Sequence, residues 1–130
     1  MKDAEQLLLE AEVFVELHMY EDAWNRIEEI APEDKTEASV LVLRLRILTA
    51  LSQWDLGHEI ARLLHRSFAK EDPLREFVAR FYHARARCCA ELNSYEEARK
   101  WMRSASEAWK DIRLKLVDDE SLQAALWSEE

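Results

Sequence analysis

The 130-residue sequence contains one glycine, two prolines and two cysteines. Sheet hairpins rely on glycine, asparagine and proline to reach their turn angles, so this supply excludes a sheet-rich fold with many tight turns. A single glycine also excludes a glycine-rich phosphate loop. The two cysteines, Cys88 and Cys89, are adjacent in a helical stretch. Neighbouring helical side chains diverge by about 100°, poor geometry for a disulfide. No apolar run approaches the ~20 residues of a membrane-spanning helix. The stretch Met1-Lys2-Asp3-Ala4-Glu5 lacks the charged-then-apolar layout of a secretory leader. A reducing, cytoplasmic location is therefore expected. Positive charge is also in deficit. Eighteen Lys and Arg stand against 27 Asp and Glu, a net −9, the opposite of the basic footprint of a general nucleic-acid binder.

What is present favours helix. The chain is 48% hydrophobic and 35% charged, a globular composition for one domain. It is rich in Ala, Leu, Glu and Arg, the better helix formers. One short pattern occurs three times: Leu, two residues, an aromatic, two residues, a very small residue. It reads Leu17-x-x-Tyr20-x-x-Ala23, Leu51-x-x-Trp54-x-x-Gly57 and Leu92-x-x-Tyr95-x-x-Ala98. The aromatics are 34 and 41 residues apart, a spacing that signals stacked helix pairs.

Helical periodicity between these anchors predicts the elements. The first helix runs from about Asp3 to His18 with Leu7, Ala11, Phe14 and Leu17 as its core stripe. The second runs from Glu21 to Ile30 and stops before Pro32. The third starts near Thr36, read as an N-cap, and carries Leu45, Leu48 and Leu51 inward. The fourth runs from Trp54 to about Lys70, with Gly57 at the small-residue position. Asp72-Pro73 reads as N-cap and first turn of a fifth helix reaching Leu92. From Tyr95 a helical beat continues without Gly or Pro, predicting one long helix to about Val117. A short helix, Leu122 to Trp127, closes the chain.

These residues make the chain resemble the tetratricopeptide repeat (TPR) family. The resemblance implies an all-α fold, a right-handed superhelix of three TPR-like helix pairs. Its repeats fall at about 4–35, 38–71 and 79–108, with a C-terminal cap over 109–130. The third repeat matches best, through Ala86, Leu92, Tyr95, Ala98 and Ala105. The first has Ile30, and the second Leu45 and Leu64, where the family has small residues. Glu10, Arg44 and Arg85 occupy a position that the family keeps apolar.

The resemblance also implies a concave groove lined by the first helix of each pair. Its positions here are Glu5, Leu8, Glu12 and Val15, then Ser39, Val42, Arg46 and Thr49, then Arg80, His83, Arg87 and Ala90. Charge is uneven along the chain. Residues 1–37 hold 12 acidic and 3 basic side chains, a net −9; 38–90 hold 5 and 9, a net +4; 91–130 hold 10 and 6, a net −4. The middle of the groove is thus basic, through Arg46, Arg80 and Arg87 with Arg44 and Arg85 nearby. Arginine binds carboxylates in charge-assisted hydrogen bonds. The expectation is a non-catalytic adaptor whose groove holds an acidic peptide or protein segment. The competing reading is that these arginines only pair with Glu10, Glu12, Glu76 and their neighbours. Leu8 and Glu12 stand where chaperone-tail clamps of the family carry Lys and Asn, so that specificity is not expected. Two further roles are compatible with the resemblance: a small chaperone of secreted proteins, or a structural protein that self-associates.

Five tryptophans are many for this length. Trp24, Trp54 and Trp101 fall in core phase. Trp109 and Trp127 fall at the end of the stack, as a cap or as a homodimer contact. No enzyme, metal or cofactor is expected. His58-Glu59 and His65 miss the His-Glu-x-x-His spacing of a zinc protease. His83 with Cys88 and Cys89 is read as packing, because cysteine behaves most often as a small buried apolar group.

Overall fold

The structure, a computed structural model, describes residues 2–68 and 70–127, with the backbone alone at 127. Every regular element among the described residues is helical: α1 (Ala4–Glu16), α2 (Tyr20–Glu28), α3 (Ala38–Ala50), α4 (Trp54–Ser67), α5 (Asp72–Glu91), α6 (Tyr95–Ala108), α7 (Ile112–Asp118), a 3-10 turn (Glu120–Leu122) and α8 (Gln123–Trp127).

Each copy of the repeated pattern builds the same helix-to-helix turn. Leu17, Leu51 and Leu92 are the C-caps of α1, α3 and α5. The residue after each is left-handed, with φ of 60° at His18, 56° at Ser52 and 62° at Asn93. The next residue donates its N–H back across the turn: Met19 to Phe14 O at 2.8 Å, Gln53 to Leu48 O at 2.9 Å, Ser94 to Cys89 O at 2.8 Å. The left-handed residues donate to Val15, Thr49 and Ala90. These paired bonds are the Schellman closure of a helix. The aromatic opens the next helix. The small residue, one turn in, donates to the carbonyl of Met19, Gln53 or Ser94. Ala23, Gly57 and Ala98 are all buried, so the smallness of this position answers to close packing.

The chain divides into two compact units, Met1–Leu64 and His65–Glu130. In the first, α1 packs along α2, and both meet α3. Leu7, Ala11, Val15, Ala23, Ile27, Ile30, Val40, Leu43 and Ile47 form one buried cluster, with Phe14, Tyr20 and Trp24 against its edge. Leu17 is not part of it and is exposed. At 100° per residue, Leu17 falls about 120° from the centre of the Leu7, Ala11 and Val15 stripe. Leu51 is exposed for a related reason, as a C-cap beyond the last full turn. Helix α3 buries six apolar side chains around most of its circumference. Its N-cap lies one residue later than the sequence reading placed it. Glu37 is its extended N-cap, because Thr36 Oγ1 turns back to Glu33 O at 3.5 Å instead. Trp24 and Trp54 are half-buried rather than enclosed.

In the second unit, α5 begins after Glu71, so Asp72 and Pro73 lie inside its first turn. It packs along α6 over most of its length, with Tyr82 stacked on Trp101 at 5.6 Å between centroids. The continuous helix expected to Val117 is broken. Trp109 is extended, at φ −156° and ψ 111°, and the chain folds back over α5 and α6 as α7, the 3-10 turn and α8. Continuing straight would have carried Ile112 and Leu116 away from α5 into water. The reversal buries both, together with Leu122 and Ala125. Arg75 stabilises the break by donating Nε to the Ala108 carbonyl at 3.1 Å, one of the acceptors a helix end leaves unpaired. Arg99 donates to Ala125 O at 3.0 Å, and Gln123 Nε2 to Val117 O at 2.6 Å.

Candidate peptide-binding faces

Helix α3 has one open side. Ser39, Arg46 and Ala50 are exposed, and Val42 and Thr49 are half-buried beside them. Thr49 Oγ1 is engaged with Leu45 O at 2.7 Å, which leaves Arg46 as the main charged group of this side. Arg46 makes no ion pair among the described residues. On α1, Glu5 and Glu12 are exposed, Leu8 is half-buried and Val15 is buried. Glu5, Leu8 and Ser39 come together in a hollow of about 480 Å³ that Asp3, Asp34 and Glu37 also line. That end of the face is acidic, so the basic character of this face rests on Arg46.

The neighbouring charged position, one residue before each mid-helix core residue, is committed inward. Glu10 accepts from Arg26 Nε at 2.9 Å and from Lys2 Nζ at 2.7 Å. The Lys2 bond first, aided by Arg26, holds the Glu10 carboxyl below the usual range against the upward push of burial. The Arg44 guanidinium lies over Trp24, 4.9 Å from the ring centroid, and its buried Nε finds no hydrogen-bond partner. Arg85 lies over Trp101 at 5.1 Å. Each of these three charged residues has a specific neighbour in its own unit: an arginine for Glu10, an indole for Arg44 and Arg85.

On α5, Arg80 pairs with Glu76 one turn back. His83 and Arg87 converge on one acceptor. Asp119 Oδ2 lies 2.6 Å from His83 Nε2 and accepts from Arg87 Nε at 2.9 Å and the Arg87 terminal nitrogen at 2.7 Å. Its Oδ1 accepts from the Ser121 N–H at 2.9 Å. The Asp119 side chain is 7% exposed, whereas Arg87 keeps 49%. Sequence reading missed Asp119. It sits 36 residues from His83, and its local signal, an acidic turn, describes only the Ser121 bond.

Cys88 and Cys89 are free and half-buried. Burial pushes the Cys89 thiol up, partly offset by Arg85. No group of three His, Cys, Asp or Glu side chains suited to a metal ion occurs among the described residues. Trp109 is half-buried at the end of α6, and the Trp127 side chain lies outside the described residues. No helix among the described residues is long and apolar enough to cross a membrane.

What the structure defines, among the described residues, is an all-α protein in which one helix-to-helix turn occurs three times. No protein-family model matches the chain, and no curated protein or solved structure matches it.

Proposed function

We propose that this chain is a non-catalytic protein-interaction module of TPR-like helix pairs stacked into a right-handed superhelix. In this reading it acts as an adaptor in the cytoplasm. It binds an acidic peptide or protein segment in a basic concave groove. One observation carries the reading: His83 and Arg87 of α5 already grip a carboxylate, that of Asp119, with three contacts of 2.6–2.9 Å. The residues that the resemblance places in a ligand groove have the geometry to hold an acidic side chain, and charge-assisted bonds of this length are the stronger kind. Arg46 on α3 adds an exposed cation that no acid among the described residues neutralises. The thrice-repeated turn supports the repeat architecture, since residues of the same kind at the same offsets end one helix and start the next in the same way three times.

The test is a panel of acidic peptides and their neutral isosteres, titrated against the wild type, Arg46→Glu and Arg46→Lys, with circular dichroism on each protein. The reading expects salt-sensitive binding of acidic members only. Arg46→Glu should weaken it about tenfold or more, and Arg46→Lys partly preserve it. Equal affinity for acidic and neutral peptides, or no effect of Arg46→Glu, would overturn it.

A further inference from the structure

The side of α1 turned away from its core carries an apolar row among acidic and polar residues. Leu9, Val13 and Leu17 follow one another at four-residue intervals and are 56%, 58% and 62% exposed. That spacing places them in one row about 12 Å long. Glu12 and Glu16, both exposed, stand beside the row, and α1 contains no basic residue. A continuous apolar row of this kind on an acidic helix is characteristic of a docking element rather than of scattered surface leucines.

The second unit offers a matching receptor. Between α6, α7 and α8 lies an open groove of about 440 Å³, with Leu116, Val117 and Leu126 in its wall and Arg103 and Arg113 beside them; Glu107 also lines it. The two arginines outnumber the single acid.

We propose that the Leu9–Val13–Leu17 row of one copy of this chain docks in the α6–α8 groove of a second copy. The occupant is argued from charge. Residues 1–37 carry a net −9, so a symmetric contact between two α1 helices would set Glu12 and Glu16 against like charges. Head-to-tail docking sets them against Arg103 and Arg113. Row and groove are different surfaces, so the contact is heterologous and repeats into an open chain or a ring. It does not depend on the acidic-peptide reading, which uses α3 and α5.

Sedimentation over a concentration series tests it. The weight-average mass of the wild type should rise with concentration above the 15.4 kDa of one chain. Two double variants are compared, Glu12→Arg with Glu16→Arg, and Arg103→Glu with Arg113→Glu. Each alone should associate about tenfold more weakly or worse, because each sets like charges at the contact. An equal mixture should recover association, because the basic row of one variant meets the acidic groove of the other. Val13→Asp should abolish association with helicity unchanged. If a double variant loses helicity, Glu16→Gln and Arg113→Gln give the same comparison more mildly. A wild-type mass that stays at one chain throughout overturns the proposal. So does association indifferent to the Arg103 and Arg113 changes, or a mixture that stays as weak as its components.

Discussion

His83 and Asp119 meet at 2.6 Å across 36 residues of sequence, and Arg87 completes the contact from one turn further along α5. This cluster ties the C-terminal segment to the helix it covers. It also occupies two of the side chains that a ligand would need.

Asp119 should therefore govern both stability and access. Burial pushes its carboxyl up, but the hydrogen bonds from Arg87, His83 and the Ser121 N–H outweigh it and hold it below the usual range. A carboxylate whose pKa is lowered by folding contributes stability that is present above its unfolded value, about 3.9, and is lost as pH falls through the folded value. Asp119→Asn should lower stability at neutral pH by about 1–2 kcal/mol, a figure discounted for the half-exposed Arg87. The gap between the variant and wild type should close in acid. Denaturation midpoints across a pH series check this. If α5 also takes a ligand carboxylate, the same variant should bind acidic peptides more tightly, because the internal competitor is neutralised.

Ser52 is held at φ 56° without being glycine or asparagine. A left-handed residue bearing a Cβ is disfavoured by about 1–2 kcal/mol, which glycine relieves in the folded state while raising the entropy of the unfolded chain. Ser52→Gly should raise stability by a net of about 0.5–1 kcal/mol and Ser52→Val should lower it by a similar amount or more. Urea midpoints at unchanged slope would report both.

Arg44 and Arg46 are two residues apart and should behave oppositely. Arg44 covers Trp24 at 4.9 Å, so Arg44→Ala should cost about 1–2 kcal/mol and shift tryptophan emission to longer wavelength as the indole is wetted. Arg46 is exposed, so Arg46→Ala should leave stability within about 0.5 kcal/mol. Thermal melts and emission spectra of the two variants side by side decide it.

Cys89 should be slow to react. Burial raises its thiol pKa, partly offset by Arg85, and the thiolate is the reactive form. Alkylation of the folded protein at neutral pH, followed by mass spectrometry, should label Cys89 far more slowly than the urea-unfolded chain.

Much of the fold was legible because its signals are local. The repeated Leu-x-x-aromatic-x-x-small pattern works within seven consecutive residues: the Leu ends one helix, the aromatic starts the next, and the small residue fits a close approach. Pro32 and Pro73 marked helix limits through their own backbone restriction. Helix boundaries at Thr36 and Asp72 were misplaced by one residue because a polar side chain near a helix start can cap it or turn elsewhere, and only the bonds formed distinguish the two.

Of the candidate site, the sequence by itself determined that Ser39, Val42, Arg46 and Thr49 share one face of α3, because their three-four-three spacing follows the helical period; that this face is open was decided by the packing of the other sides. The break at Trp109, the inward commitment of Arg44 and Arg85, and the capture of His83 and Arg87 by Asp119 were decided only by tertiary structure. No local signal marks them. A helix with unbroken periodicity bends back when the apolar residues beyond it have a surface to cover, and a charged side chain turns inward or outward according to which partner the fold brings within about 3–5 Å.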